Sequence, residues 1–205
     1  DWLRSTQKVN LLAVGHRVVH GGPDFDRPVR ITPEVAKQLE RYVSLAPLHQ
    51  PNNLAPIRTL LERRPELPQV ACFDTAFHRG HGALADYYAL PESFYKEGVR
   101  RYGFHGTSHH YVSLRAAQFL QRRPNELRLV SCHLGNGSSL CAVDHGRSVD
   151  TSMGFTPAEG LIMGTRCGDV DAGVLAFLER TEKLSASQSE ELLNKKSGLL
   201  GLSGL

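Results

Sequence analysis

The sequence predicts an α/β fold with two lobes. Over the first 80 residues, short apolar runs alternate with amphipathic helical segments. After Leu127, three strand-like runs are joined by tight turns, which is typical of a β-meander. We therefore assign residues 1–80 to part of a first, N-terminal lobe and residues 81–205 to part of a second lobe, with the boundary between about Phe77 and Pro91.

In the first lobe, local patterns predict two strands and two helices. Short apolar runs closed by Gly or Asp are typical of buried strands. Thr followed by Pro is typical of a helix N-cap and first helical position, and apolar residues spaced by three or four give a helix its buried face. The predicted elements are a strand over 9–14, a helix after Thr32, a helix over about 53–64 and a strand over 70–73.

In the second lobe, an irregular stretch precedes a helix, the meander and further helices. Asn-Gly between two strand-like runs favours a hairpin. Thr156, Pro157 and Glu159 have the spacing of a capping box that opens a short helix. The predicted elements are an irregular segment over 79–98, a helix over 108–121 capped by Thr107, strands over 127–134, 140–143 and 147–151, and helices near 172–179 and 187–195.

The composition is that of an ordinary globular protein. Of 205 residues, 40% are hydrophobic and 22% charged, which suffices for a real core. The net charge of +3 comes from dispersed positive charges without a basic stripe interleaved with aromatics, so we expect no nucleic-acid partner. No apolar run has membrane-spanning length, and the four cysteines form no CxxC pair. We expect a cytoplasmic protein with reduced thiols and no membrane partner.

Arginine and histidine recur beside glycine in three runs, which are GHRVVHGG over 15–22, YGFHGTSHH over 102–110 and MGTRCG over 163–168. Guanidinium groups match carboxylate and phosphate oxygens two at a time, and glycine lets the backbone approach a ligand closely. The simplest interpretation is a pocket for small anions, namely a phosphoryl group and a carboxylate. We expect Arg17, His105 and Arg166 to converge on one such cavity.

Each candidate residue also has a structural interpretation. Arg17, at a strand end, taken alone is more often part of a surface salt bridge. His105, before a helix, either donates to an anion or is a buried histidine satisfied by the backbone. Asp74 either meets a ligand at a strand end or caps a turn. His105 and His109 have the spacing of a metal pair, but Gly106 stands where a metalloprotease has glutamate, which argues against zinc.

The run HLGNGSS over 133–139 has two interpretations as well. A glycine-rich turn can wrap its N–H groups around phosphates, whereas the pattern alone favours a plain hairpin. The sequence has no Walker P-loop and no GxGxxG, which excludes the two commonest nucleotide loops. It also has no GxSxG, which argues against a serine hydrolase with a nucleophile elbow.

Seven motifs, in one order, resemble the acetate kinase family, including its propionate-using relatives. The resemblance extends over essentially residues 9–204 and implies the two-lobed, ribonuclease-H-like fold shared by acetate and sugar kinases, heat-shock chaperones and actin, here as a fragment. The motifs are GHRVVHGG, LAPLHQPNN, FDTAFH, YGFHGTSHHYV, CHLGNGSS, TSMGFTPAEGL and MGTRCGDVD.

The resemblance implies a phosphotransferase with a carboxyl group as acceptor. Such an enzyme transfers the γ-phosphate of ATP reversibly to acetate or a similar short carboxylate, giving acyl phosphate and ADP. It uses Mg²⁺ and is usually a homodimer. The alternatives are a propionate or butyrate kinase, a non-catalytic anion-binding or dimerisation module of the same fold, and a hydrolase or metal enzyme that uses the ten histidines.

The resemblance also implies roles for individual residues. Arg17 would bind the substrate carboxylate, and three residues would be catalytic: Asp74, His105 and Arg166. His49 lies in a further family motif, in which this chain has Gln50 where Asn is frequent. The remaining residues divide between a pocket for the substrate methyl group (Val19, Leu48, Phe104 and Pro157) and a nucleotide-binding turn (His133, Leu134, Gly135, Asn136 and Gly137).

Elementary chemistry agrees with these roles. The attacking carboxylate has a pKa near 4, so it is ionised at neutral pH and needs no general base. Phosphoryl transfer then depends on positioning and on cations. We therefore expect Asp74 to orient an arginine or Mg²⁺ rather than to act as a base.

Some parts of the family pattern are not in this sequence. They are the opening phosphate loop, the later adenosine segment and an acidic residue near magnesium. Both ends of the sequence look like cuts through a longer protein. We therefore expect the Mg²⁺ ligands and the adenine site to lie outside this chain, and the isolated chain to be inactive or nearly so.

Overall fold

The computed structural model describes residues 10–47 and 49–204 and divides into two compact units, with the division between Ala76 and Phe77. Each unit contains one three-stranded sheet together with helices. The predicted α/β class is confirmed.

In the first unit, two parallel strands bring candidate residues to the same sheet edge. Strand β1 pairs in parallel with β3, and β2 pairs antiparallel with β3, in the order β1-β3-β2. Because β1 and β3 run the same way, their carboxyl ends meet, which is where α/β sheets commonly present ligand-binding residues. The elements are β1 (Val14–Val18), β2 (Val29–Arg30), helix α1 (Pro33–Glu40), helix α2 (Gln50–Arg63) and β3 (Gln69–Phe73).

Helices α1 and α2 pack an apolar core against the sheet. The Thr32 hydroxyl accepts the N–H of Val35 at 3.2 Å and Pro33 occupies the first turn, which confirms the predicted helix start. The side chains of Leu39, Leu54 and Ile57 are almost completely buried. Burying each such side chain contributes about 1.5–3 kcal/mol, so this core holds the sheet edge in place.

Two predicted boundaries in this unit are wrong. The strand expected over 9–14 is found at Val14–Val18, because pairing with β3 rather than apolar content sets its limits; Val9 is outside the described residues. Leu12 is exposed, and Gly15 lies inside the strand instead of ending it. Helix α2 begins three residues earlier than predicted, because Pro51 is tolerated in a first turn.

In the second unit, the predicted meander is confirmed as three antiparallel strands in the order β4-β5-β6. The first hairpin closes on the pair Leu134–Ser138, so the Asn-Gly turn is a true hairpin turn. The elements are α3 (Ala83–Asp86), α4 (Glu92–Lys96), α5 (Gly106–Phe119), β4 (Arg128–Leu134), β5 (Ser138–Asp144), β6 (Arg147–Thr151), α6 (Ala172–Thr181), α7 (Ala186–Lys195) and α8 (Gly198–Ser203).

Three predictions for this unit are corrected, and one helix was not predicted. Thr107 does not cap α5, because the helix begins at Gly106 and His105 is its N-cap. No helix begins at Thr156, because the Glu159 carboxylate is taken by Arg101 and by the Tyr88 hydroxyl instead of a backbone N–H. The segment 79–98 contains the short helices α3 and α4, and α8 was not predicted.

None of the helices in the described part of the chain combines the length and apolar character needed to cross a bilayer.

Candidate functional site

Arg17 and Asp74 form a two-pronged ion pair at the carboxyl ends of β1 and β3. Arg17 Nε donates to one carboxylate oxygen at 2.9 Å and Nη2 donates to the other at 2.6 Å. The register of β1 against β3 places Arg17 opposite Cys72, two residues before Asp74. The structure therefore brings together two residues that the sequence singled out separately.

The two partners differ sharply in exposure. The Asp74 side chain is 1% exposed, whereas that of Arg17 is 69% exposed. The hydrogen bonds to Asp74 raise the pKa of Arg17, so the guanidinium stays charged. Because both carboxylate oxygens accept from Arg17, the arrangement suits Asp74 for holding the guanidinium in one orientation while leaving its outer side to solvent.

Other candidate residues of the first unit lie near the start of α2. His49 is exposed at the N-cap of the helix. The backbone N–H of Val19 donates to Asn53 Oδ1 at 2.9 Å, which ties the end of β1 to α2. Leu48 lies outside the described residues.

In the second unit, His105 stands at the N-terminus of α5 in a left-handed conformation. Its φ of 58° is uncommon for a residue with a side chain and indicates a constrained site. The imidazole stacks on that of His133, with ring centroids 4.0 Å apart, and its Nδ1 lies 2.9 Å from the Ser139 hydroxyl. Two neighbours on the β4–β5 hairpin therefore fix the ring.

Arg166 and His105 both lie close to the position that a Cβ atom on Gly137 would occupy, which we call the open point beside Gly137. A Cβ atom on Gly137 would lie 3.0 Å from Arg166 Nη1 and 3.4 Å from His105 Nε2. Only glycine leaves this point open. Within the second unit, the structure therefore brings a guanidinium, an imidazole and a glycine-rich turn together.

Arg166 is a half-buried cation, and none of the described residues pairs a carboxylate with it. Its Nη1 donates to the carbonyl of Pro157 at 3.1 Å, and within the described ranges it makes no ion pair. Burial lowers the pKa of Arg166. A partly desolvated guanidinium with hydrogen-bonding capacity to spare is suited to an anion.

The hairpin turn between β4 and β5 has an ordered backbone. The N–H of Gly135 donates to the carbonyl of Gly137 at 3.1 Å, and the Ser138 hydroxyl donates to the carbonyl of Gly135 at 3.1 Å. The amide oxygen of Asn136 lies against the backbone of Gly164, and Leu134 is exposed. The nucleotide-binding role of this turn stays a prediction.

Phe104 is buried, and a histidine side chain hydrogen-bonds to its carbonyl. The Phe104 side chain is almost completely buried, and its carbonyl accepts a hydrogen bond from His78 Nε2 at 3.0 Å. The other ring nitrogen of His78 lies 2.7 Å from the Ser148 hydroxyl. Because desolvation lowers the pKa of His78 to about 3, this ring is neutral and acts as a fixed strut for the residues before His105.

One residue in contact with both His105 and His109, namely Ser139, was not identified as a site residue from the sequence. Ser139 lies opposite His133 across the hairpin, and its hydroxyl contacts His105 and His109 together. The Asn-Gly turn, which sets strand register, and the four-residue spacing of the two histidines on a helix could have identified this cluster.

The described residues do not form a metal centre. In the ranges 10–47 and 49–204, no group of three His, Cys, Asp or Glu side chains could hold a metal ion. The four cysteines, all within these ranges, are unpaired thiols.

Sequence comparison identifies relatives along nearly the whole chain. The model of the "Acetokinase family" matches residues 3–205. The acetate kinase of Nitrobacter hamburgensis is 55% identical over 207 residues, which cover 100% of this chain and 50% of that relative. The chain therefore spans about half the length of the curated relatives it matches.

Solved structures give the same result for the fold. The crystal structure of Porphyromonas gingivalis acetate kinase matches with a TM-score of 0.92 and 48% identity, over 99% of this chain and 53% of that one. A propionate kinase from Francisella tularensis matches with a TM-score of 0.93 and 43% identity, over the same shares. The fold expected from the sequence motifs is therefore confirmed.

Proposed function

The chain belongs to the acetokinase family, and on that premise we propose that the whole protein is an acetate kinase. It would transfer the γ-phosphate of ATP reversibly to a short carboxylate. An oxygen of the carboxylate forms a bond to the γ-phosphorus while the bond from that phosphorus to the bridging oxygen breaks. The electron pair of the broken bond leaves with ADP.

One observation carries the proposal, which is the approach of Arg166 Nη1 and His105 Nε2 to the open point beside Gly137. Two nitrogen donors around a space kept free of side chains suit an anion. In phosphoryl transfer, charge is spread over three equatorial oxygens, and fixed donors stabilise it without reorganising. We assign His105 and Arg166 to the transferring phosphoryl group and the turn over 133–137 to the nucleotide phosphates.

The first unit would supply the binding group for the acceptor. Arg17, oriented by Asp74, presents a fixed guanidinium to a carboxylate. Because the acceptor is ionised at neutral pH, Asp74 has no proton to remove. Val19, Leu48, Phe104 and Pro157 remain the proposed lining for the substrate methyl group, and His49 remains a candidate of unassigned role.

Mg²⁺ would neutralise phosphate charge in such a reaction. The described residues form no group that could hold a metal ion, so we assign none of them to it. As the family resemblance implies, we expect the Mg²⁺ ligands in the parts of the family pattern that this sequence lacks. A cytoplasmic homodimer with acetate and ATP as substrates, and with neither nucleic acid nor membrane as partner, completes the proposal.

Which short carboxylic acid is the preferred substrate needs a separate test, since this chain is similar both to an acetate kinase and to a propionate kinase. One buried methylene is worth about 1–3 kcal/mol, so discrimination between acetate and propionate should be modest. The test is ATP-dependent acyl phosphate formation by the whole protein with acids of two to four carbons. We expect the highest kcat/KM with acetate; a higher value with propionate or butyrate would reassign the substrate.

The same assay tests the alternative of a non-catalytic module. Binding of acetate without any acyl phosphate formation by the whole protein would favour that alternative and contradict the kinase. We further expect the 205-residue chain alone to give no acyl phosphate, and turnover equal to that of the whole protein would overturn this expectation.

A further inference from the structure

A continuous line of hydrogen-bonding groups runs behind His105. Its Nδ1 lies 2.9 Å from Ser139 Oγ, and the same oxygen lies 2.8 Å from His109 Nε2. The opposite nitrogen of His109 lies 3.0 Å from Ser131 Oγ. The sequence of groups is therefore His105, Ser139, His109 and Ser131, with the last three buried between α5 and the β4–β5 hairpin.

The position of the protons along this line is constrained. Desolvation by burial, together with the neighbouring His133, lowers the pKa of His109 to about 4, so at neutral pH its ring carries one N–H. One of its two serine neighbours must therefore donate to it and the other must accept. Ser139 has a single hydroxyl proton, so it cannot donate to both histidines.

Two directions of donation give every proton on this line an acceptor along it. If both rings donated to Ser139 instead, the hydroxyl proton of this fully buried serine would have no acceptor on the line. In the first direction, Ser131 donates to His109, His109 Nε2–H donates to Ser139, and Ser139 donates to His105 Nδ1. His105 then carries its proton on Nε2, the nitrogen that lies 3.4 Å from the point beside Gly137. In the reverse direction, His105 Nδ1 would carry a proton, and Nε2 could donate only if the ring took a second proton, and hence a positive charge, near the Arg166 guanidinium.

Taking the role of His105 from the proposed function, we propose that Ser139 and His109 are positioning residues that keep His105 as the neutral Nε2–H tautomer. They act through His105 and do not touch the substrate. The stack of His105 on His133 and the left-handed backbone at His105 hold the ring where this proton faces the phosphoryl group. The line of hydrogen bonds from Ser131 to His105 thus sets which nitrogen of His105 carries the proton. In other functional histidines, too, the hydrogen bond made by one ring nitrogen decides the protonation of the other.

The first test is a ¹⁵N NMR measurement on the 205-residue chain labelled at histidine, with His105 assigned from the signals lost in His105→Gln. We expect the wild-type spectrum at neutral pH to show His105 and His109 as Nε2–H tautomers. In Ser139→Ala, Nδ1 of His105 loses its donor, so its signals should shift toward a mixture of tautomers. His105 found protonated on Nδ1 in the wild type, or unchanged in a folded Ser139→Ala, would overturn the proposal; the wild-type spectrum decides alone if the variant does not fold.

The second test uses activity of the whole protein. Losing one neutral hydrogen bond is worth about 1 kcal/mol, so we expect Ser139→Ala to lower kcat about 5-fold with little change in KM, and Ser139→Thr to recover part of the loss. Ser113→Ala is the matched control, since this buried serine of α5 donates to a backbone carbonyl, that of His110. Equal losses in Ser139→Ala and Ser113→Ala would contradict the proposal.

Failure of the proposed function would look different. If the wild-type whole protein forms no acyl phosphate, the kinase assignment fails, while the tautomer of His105 and its dependence on Ser139 are still measured in the spectrum.

Discussion

Arg17 holds both oxygens of the buried Asp74 carboxylate while most of its own side chain remains exposed. The relationship gives the carboxylate one evident task, which is to fix the direction of the guanidinium. A catalytic base would need an oxygen that reaches the substrate, and here both oxygens accept from arginine.

We therefore expect Asp74→Asn to weaken acceptor binding without removing an acidic ionisation. Charge-assisted hydrogen bonds contribute about 1.5–3 kcal/mol each, so kcat/KM for the carboxylate should fall at least about 10-fold in the whole protein, chiefly through KM. The measurement is the pH profile of kcat/KM for both proteins. An acidic limb present in the wild type and lost in the variant would identify Asp74 as a base instead.

A second prediction concerns the open point beside Gly137. Gly137→Ala places a methyl group 3.0 Å from Arg166 Nη1, so it should displace the guanidinium and lower kcat more than about 10-fold. Because the backbone of Gly137 is not in the left-handed region, thermal stability should change little. Activity and melting temperature are measured together, with Gly80→Ala as control, since nothing lies within 4 Å of its added Cβ. Full activity in Gly137→Ala would argue against a ligand at this point.

A third prediction concerns the turn before His105. Gly103 has a φ of +70°, and a Cβ there would lie 2.8 Å from the His78 ring. The left-handed backbone costs about 1–2 kcal/mol with a side chain and overpacking about 1–3 kcal/mol more, so Gly103→Ala should lower the free energy of unfolding by about 3 kcal/mol.

Urea denaturation of the 205-residue chain measures this loss. Gly82→Ala is the matched control, because its added methyl group meets nothing within 4 Å and its backbone already suits alanine. A loss in Gly103→Ala no larger than that in the control would show that the turn relaxes around the methyl group.

A fourth prediction follows from the pKa of His78, which burial lowers to about 3 from an ordinary value of about 6.5. Below pH 6.5, His78 is protonated in the unfolded chain but stays neutral in the native state. The native state therefore loses stability relative to the unfolded chain as the pH falls toward 3. This ring alone should make the chain about 2 kcal/mol less stable at pH 5 than at pH 7.

The measurement is the free energy of unfolding at several pH values in wild type and His78→Gln. An amide at position 78 keeps a donor for the Phe104 carbonyl but cannot titrate in this range. We therefore expect the free energy of unfolding of the variant to depend less steeply on pH than that of the wild type. Between about pH 4 and 6, the difference in slope should correspond to about one bound proton. Identical slopes would mean that His78 titrates in the native state as it does in the unfolded chain, and would contradict the prediction.

Local chemistry made some elements predictable from the sequence. Thr32 and Pro33 satisfy and shape the first turn of α1 by themselves, and Asn136-Gly137 selects a hairpin whatever surrounds it. Such signals need no distant partner, so the sequence pattern alone locates them.

Other elements depend on partners far along the chain. The limits of β1 follow its pairing with β3, and Glu159 fails to cap a helix because Arg101 and Tyr88 take its carboxylate. The candidate site divides in the same way. Its motifs were visible as arginine or histidine beside glycine, and an arginine was one of two expected partners of Asp74. That this arginine is Arg17 became evident only in the folded chain.

The hairpin carries a thiol that can report on the site. Cys132 is the exposed member of the four cysteines and precedes His133 on β4, whereas burial raises the pKa of the Cys141 thiol to about 11 and keeps it protonated. Cys72 and Cys167 are only half-buried, and burial raises the pKa of the Cys167 thiol too. A maleimide fluorophore should therefore attach fastest at position 132, close to the turn. If the turn holds the nucleotide phosphates as proposed, the emission of the fluorophore would follow their occupancy directly, with no coupled enzyme and no turnover.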